Sequence, residues 1–366
     1  MGEHIVNKSN HLNWLDNLRT TTIFLVVLYH VGGVYEGAGL WASFWIVDDP
    51  NTLTWVGIVG IIFDIMVMPI MFFVSGYLTP GSISGKTSGL FLKRKAQRLL
   101  IPWLLAVFTL IPIYRIIFLY SRHLPQESWL NYFHFTSPNS QNWLWFLPVL
   151  YLFNLLYLLM HRMKISVSHV SINSAIAGIF ILGFTASLGV GSLLGFRSWT
   201  LTALLDFENE RLVLYFMMFL FGALCFEKGV FEKAPQSKKL YIFISSIAWI
   251  PVTAHIFVRL VPFFYENFAV TLAYRSWWWL SFNLSLLVLL YTMIESFRLY
   301  FDKPGKMWAE LNKNAYGVYI IHVIMIGMFG TILLQFNISG LIKYPALIML
   351  TYGFSNLLVS LRRRLF

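Results

Sequence analysis

Trp55-Val-Gly-Ile-Val-Gly-Ile-Ile-Phe-Asp-Ile-Met-Val-Met-Pro-Ile-Met-Phe-Phe-Val-Ser-Gly-Tyr-Leu-Thr79 carries a single charge, Asp64, in twenty-five residues. A helix needs roughly 20 mainly apolar residues to cross ~30 Å of hydrocarbon, and this run has them. Nine further runs of that kind follow on either side, near 18–35, 99–120, 143–161, 170–190, 211–226, 240–261, 276–296, 314–334 and 343–361. The whole chain agrees: of 366 residues 58% are hydrophobic, 18% aromatic and only 12% charged, where a soluble domain is about a quarter charged. That composition excludes a water-soluble enzyme. The expected fold is an all-α polytopic membrane protein of about ten transmembrane helices, forming one domain over 1–366.

The single cysteine, Cys225, excludes an internal disulfide and a cysteine-based zinc or iron–sulfur centre. No metal site is expected. The net charge of +11, from 27 Lys and Arg against 16 Asp and Glu, reads as the basic bias of cytoplasmic loops rather than as nucleic-acid binding. An even number of spans puts both termini on one side. With that side inside, twenty of the 27 basic residues are cytoplasmic, Lys8 and Lys233 among them. The others are Arg115, Arg122, Arg197, Arg211, Arg259, Arg275 and Lys343. Both termini are therefore expected in the cytoplasm. The first run has a long polar lead-in, lacks a clear small-x-small cleavage site and carries a histidine, so it is read as an uncleaved helix.

Ionisable groups inside a membrane helix are costly and face the bundle interior or a watery cavity. Four stand out: His30, Asp64, Glu295 and His322. Arg19 and His30 are eleven residues apart, about three turns with ~20° left over, so they share a helix face with roughly 16 Å of rise between them. His322 lies about eight residues above the start of its apolar run, roughly 12 Å, so the two histidines are expected at comparable depth. Buried imidazoles at this depth are suited to general-base chemistry or to hydrogen bonding between helices. Asp64 shares a stripe with Met68, Phe72 and Ser75, and is expected to orient a histidine or to pair with an arginine near the outer face. Glu295 is expected to be solvated at the interface. The basic segment Phe91-Leu-Lys-Arg-Lys-Ala-Gln-Arg98 follows the second span and is a topology signal, an anionic-lipid contact or a ligand site. In the 121–142 loop, His123, Trp129, Tyr132, Phe133 and His134 read as interfacial residues or as the lining of a sugar site.

Together these segments resemble the acyltransferase family 3 of integral membrane enzymes. Trp14-Leu-Asp-Asn-Leu-Arg19 through Val26-Val-Leu-Tyr-His30 is similar to its first-helix arginine–histidine signature, and Met71-Phe-Phe-Val-Ser-Gly-Tyr-Leu78 to its FFxxSGY motif. Leu92-Lys-Arg-Lys-Ala-Gln-Arg-Leu-Leu-Ile-Pro102 resembles its R-x-x-R segment, Trp143-Leu-Trp-Phe-Leu-Pro148 its W-FLP stretch, and Asn314-Ala-Tyr-Gly-Val-Tyr-Ile-Ile-His322 its late tyrosine–histidine pattern. Five collinear matches are far more specific than any one of them. Lys95 stands where arginine is usual, which keeps a point charge but loses the bidentate fork, with Arg94 placed to compensate. Asn17 replaces a glycine, a form resembling members that modify periplasmic glucans.

The resemblance implies transfer of a short acyl group, acetyl or succinyl, from cytoplasmic acyl-CoA to a carbohydrate hydroxyl beyond the membrane of a bacterial inner membrane. Acyl-CoA is then a co-substrate, with no tightly bound cofactor. Lys95, Arg98, Arg94 and Ser75 are the expected donor-binding residues. His30, as base or acyl carrier, is expected to act with Arg19, His322, Tyr319 and Asp64. Membrane lipids are the other expected partners. Two readings compete: a transporter or flippase for a sugar-containing substrate, and a haem protein with His30 and His322 as axial ligands.

Overall fold

The computed structural model describes residues 12–37, 45–132, 141–232 and 237–365. His134, Phe133, Lys8 and Lys233 therefore lie outside the described residues. Each of the ten expected runs is a helix long and apolar enough to cross a membrane. In chain order the helices are α1 (Asn13–Tyr35), α2 (Thr54–Ile83), α3 (Ser88–Ser121), α4 (Phe146–Arg162), α5 (Ile172–Leu194), α6 (Asn209–Glu227), α7 (Lys238–Ile247), α8 (Trp249–Leu260), α9 (Leu272–Tyr300), α10 (Lys306–Leu334) and α11 (Gly340–Leu365). Helices α7 and α8 share one span, Lys238–Phe263. Pro251 lies in the first turn of α8 and has no N–H to offer the carbonyl of Ile247 across the break. A short hairpin, β1 (Trp199–Leu201) with β2 (Asp206–Glu208), joins α5 to α6.

The helices outrun the hydrocarbon-length runs in the sequence. Helix α3 starts at Ser88 behind a Thr87 cap whose side chain accepts from the amide of Leu90, and α10 starts at Lys306. Helical hydrogen bonding does not stop where the lipid does, and long basic side chains are well suited to the watery ends. Antiparallel alternation gathers the starts of α1, α3, α5, α7 and α10 with the ends of α2, α4, α6, α9 and α11. We term this the basic end, and the other the opposite end.

Helices α2 and α6 form the tightest contact. A Cβ on Gly76 would strike the carbonyl of Phe219, and one on Gly222 the carbonyl of Phe73. Two facing glycines thus bring the backbones together, the membrane use of small residues. Phe72, fully buried, packs its ring on Tyr215, Phe146 and Phe153 at 4.8–5.0 Å. Helix α1 packs against α2, α9, α10 and α11, so its side chains face the bundle interior.

Glu295 is not solvated. It is 4% exposed and holds Arg298 at 2.6 Å. Helix α9 continues to Tyr300, which leaves Glu295 enclosed by neighbouring helices, and the arginine one turn on neutralises it. At the opposite end, Lys343 of α11 donates to Asp49 at 2.8 Å, both side chains 1% exposed. This pair anchors the chain between α1 and α2 over the end of the bundle.

Candidate active site

Arg19, Ile23 and His30, spaced four and seven residues, form one stripe on α1. Ser82, Leu78, Ser75, Met71, Met68 and Asp64 form a second on α2 by the same spacing. The two stripes run side by side from the basic end. A cavity of about 900 Å³ lies at that end, and Arg19, Ile23, Met71, Ser75 and Tyr319 are among the residues lining it. This is the upper part of the ~300–1,000 Å³ range of small-molecule sites. Its charged lining is Arg19, Lys95, Arg98, Lys306 and Lys313 against Asp16. Deeper lining, including Ile23, Val74, Phe146 and Leu147, is apolar. Charge at the mouth and a greasy interior suit a ligand with an anionic head and a slender, weakly polar arm.

Beyond the deep part of this cavity the two histidines meet. His322 Nε2 and His30 Nδ1 are 3.1 Å apart. His322 Nδ1 lies 2.7 Å from the carbonyl of Tyr319, and His30 Nδ1 lies 3.0 Å from the carbonyl of Val26. A carbonyl only accepts, so both Nδ1 atoms carry the proton in the neutral pair. His322 Nε2 then accepts from His30 Nδ1–H, and the lone pair of His30 sits on Nε2. This is a base and its orienting partner, the arrangement proton-abstracting sites use. The equal depth expected of the pair holds, though both sit farther in than the apolar runs implied. His30 is seventeen residues from the start of α1 and His322 sixteen from the start of α10, about 24–26 Å along each helix. At 3.1 Å His322 Nε2 accepts the Nδ1–H of His30, so the lone pair an axial ligand would give to iron is already taken by the partner ring.

The other expected site residues divide clearly. Tyr319 lines the cavity and donates its hydroxyl hydrogen to the carbonyl of Trp143, tying the W-FLP stretch to α10. Arg19 donates to the carbonyl of Asn312 and pairs with Asp16 at 3.1 Å. Lys95 and Arg98 stand at the mouth, with Lys95 over the ring of Phe91. Arg94, in contrast, is exposed and outside the lining. Asp64 takes the arginine-paired alternative. It accepts two bonds from Arg211, at 2.8 and 2.9 Å, and one from Arg259 at 3.0 Å.

Two contributors were not legible beforehand. Asn17 donates to the carbonyl of Phe301 and accepts from Asn312, whose own Oδ1 accepts from Thr20. A side chain at this position therefore joins α1 to α10 beside the mouth. Trp45 stacks on His30, with ring centroids 5.1 Å apart and planes 13° apart. Arg122 fixes it by donating to the carbonyls of Trp45 and Ile46. The departure from glycine at position 17 was the signal for the first; a tryptophan in a loop gave none for the second.

A family model described as an acyltransferase domain matches residues 12–360, nearly the whole chain. The chain belongs to the acyltransferase 3 family. No curated protein and no solved structure matches it. Membership makes this polytopic membrane protein an acyltransferase that transfers groups other than aminoacyl groups, and the transporter reading gives way to it.

Proposed function

We propose that this acyltransferase takes acyl-CoA through the basic end, which faces the cytoplasm of a bacterial inner membrane together with both termini. It then passes a short acyl group, acetyl or succinyl, to a hydroxyl of a carbohydrate on the far side, such as a glucan or another polysaccharide. The observation that carries this reading is the alignment of a cation-rimmed cavity with a histidine pair beyond its apolar end. The CoA phosphates meet Lys95, Arg98, Lys306 and Lys313 as charge-assisted contacts. The pantetheine arm follows the Arg19–Ile23 and Ser75–Met71 stripes and brings the thioester toward His30. No tightly bound cofactor is needed.

In the chemical step His30 Nε2 takes the proton of the acceptor hydroxyl as that oxygen attacks the thioester carbonyl. The C–S bond breaks, and the CoA thiolate leaves with the proton returned from His30. His322 receives the Nδ1–H bond of His30 throughout and stabilises the imidazolium that forms. Arg19, pinned to α10 through Asn312, positions the donor arm.

The test is thermal stability of the purified protein with and without coenzyme A, acetyl-CoA and succinyl-CoA. A ligand that binds only the folded state at a hundred times its Kd adds about 2.7 kcal/mol. Stabilisation that is lost in a Lys95→Ala/Arg98→Ala variant supports the donor site. No stabilisation at millimolar ligand refutes it.

A further inference from the structure

At the opposite end, the α2 stripe finishes in a second polar assembly, in which Asp64, Glu208 and buried Glu210 stand with Arg197, Arg211 and Arg259. Arg211 spends both Nη atoms on Asp64 and lies 3.0 Å from Glu208, so two carboxylates match its charge. Arg259, 6% exposed, shares only Asp64, through Nη1, and its Nε and Nη2 make no hydrogen bond among the described residues. Arg197 stands in the connection between α5 and β1 with a left-handed backbone (φ 56°). Its guanidinium makes no hydrogen bond or ion pair among the described residues. Both of these arginines lie over the same ring, Trp278, at 4.7 Å for Arg259 and 5.6 Å for Arg197. One turn before Arg259 on α8, fully buried His255 stands edge-on to Trp278 and has no hydrogen-bond partner for Nε2.

Arg259, buried beside Trp278, leaves donors unspent where burial makes them costly, and exposed Arg197 stands over the same indole. Planar N–H forks of this kind match phosphate and carboxylate oxygens. The assembly also adjoins the reacting centre. Tyr29 lies within electrostatic range of Asp64, Arg259, Arg211 and Arg197, and its ring is 5.5 Å from that of its neighbour His30. Asp64, ten residues into α2, keeps 18% of its side chain accessible.

We propose that Arg197 and Arg259, flanking Trp278, form an oxyanion subsite that holds a phosphate or carboxylate carried by the acceptor and thereby sets the acceptor hydroxyl against His30. This rests on the acyl-transfer reading above, and it adds that the acceptor is anionic. Asp64 is then a positioning residue that holds Arg259, and the basic mouth and this subsite serve the two substrates from opposite ends.

The test uses the full chain in detergent, in the Lys95→Ala/Arg98→Ala background, which removes two of the five cations that line the basic mouth. Inorganic phosphate is titrated at constant ionic strength and Tm is recorded. The expected result is a saturable rise in Tm that needs at least tenfold more phosphate in Arg197→Gln and in Arg259→Gln. Arg197 is exposed, so its variant keeps the parent Tm without phosphate and reports binding alone. A response that does not saturate, or that is the same in both variants, overturns the subsite. A response abolished by phosphatidylglycerol in the micelles overturns its assignment to the acceptor in favour of a lipid headgroup. Coenzyme A stabilisation, measured separately with Lys95 and Arg98 intact, tests the donor reading. Failure there with the phosphate response retained refutes the donor site and not this one.

Discussion

Replacing His322 by phenylalanine removes the acceptor of the His30 Nδ1–H bond while keeping a flat ring in a fully buried place. His30 retains its other partner, the Val26 carbonyl at 3.0 Å, so the imidazole keeps its tautomer. What is lost is a hydrogen bond to a ring that becomes cationic as the acceptor proton arrives. Hydrogen bonds to charged groups contribute about 1.5–3 kcal/mol, and each ~1.4 kcal/mol is tenfold in rate. The expected fall in kcat/KM is therefore about 10- to 150-fold. The fold should tolerate the change, because the Tyr319 carbonyl lies inside α10 and keeps its helical amide partner from Val323. His322→Gln, whose side-chain oxygen accepts at nearly the same reach, should recover part of the loss. By contrast His30→Ala removes the base itself, an effect of about 10²–10⁴ or more. The assay is release of CoA thiol in the presence of acceptor, with Tm as the folding control. Wild-type kcat/KM in His322→Phe refutes the orienting role. A loss as large as that of His30→Ala, not rescued by Gln, refutes the division of roles.

Three further outcomes are expected. Gly222→Val places a branched side chain against the Phe73 carbonyl and the Tyr77 amide, so it should separate α2 from α6 and sharply reduce the yield of folded protein in size-exclusion chromatography; a normal profile contradicts the close contact. Lys343→Met leaves the 1%-exposed Asp49 carboxylate unpaired at a cost of about 3–5 kcal/mol, and adding Asp49→Asn should recover much of it, as a double-mutant cycle on Tm will show. With buried Cys225 replaced by serine, an Arg364→Cys variant should react with a membrane-impermeant maleimide in inverted vesicles and not in right-side-out ones; the reverse pattern sinks the proposed orientation.

The membrane class of this protein and its span count were legible in the sequence because the bilayer imposes a length and a composition that no other environment demands. The shared face of Arg19 and His30 was legible for a related reason, since helical periodicity is a local property. The depth of His322 was misjudged by a run of apolar residues, because α10 begins eight residues before that run, among polar side chains that water accommodates as readily in a helix as in a loop. Partners distant in the chain were not legible at all. Asp64 offered two roles on paper, and only the packing of α2 against α6 and α8 set it between Arg211 and Arg259, 147 and 195 residues away. The same holds for Trp45 on His30 and for Glu295 with its arginine enclosed. Spans and stripes follow from short-range rules written into consecutive residues. A site assembled from α1, α2, α3, α4 and α10 depends on how those helices pack, and packing is decided by close contacts such as Gly76 on Phe219, which exist only once the tertiary structure has formed.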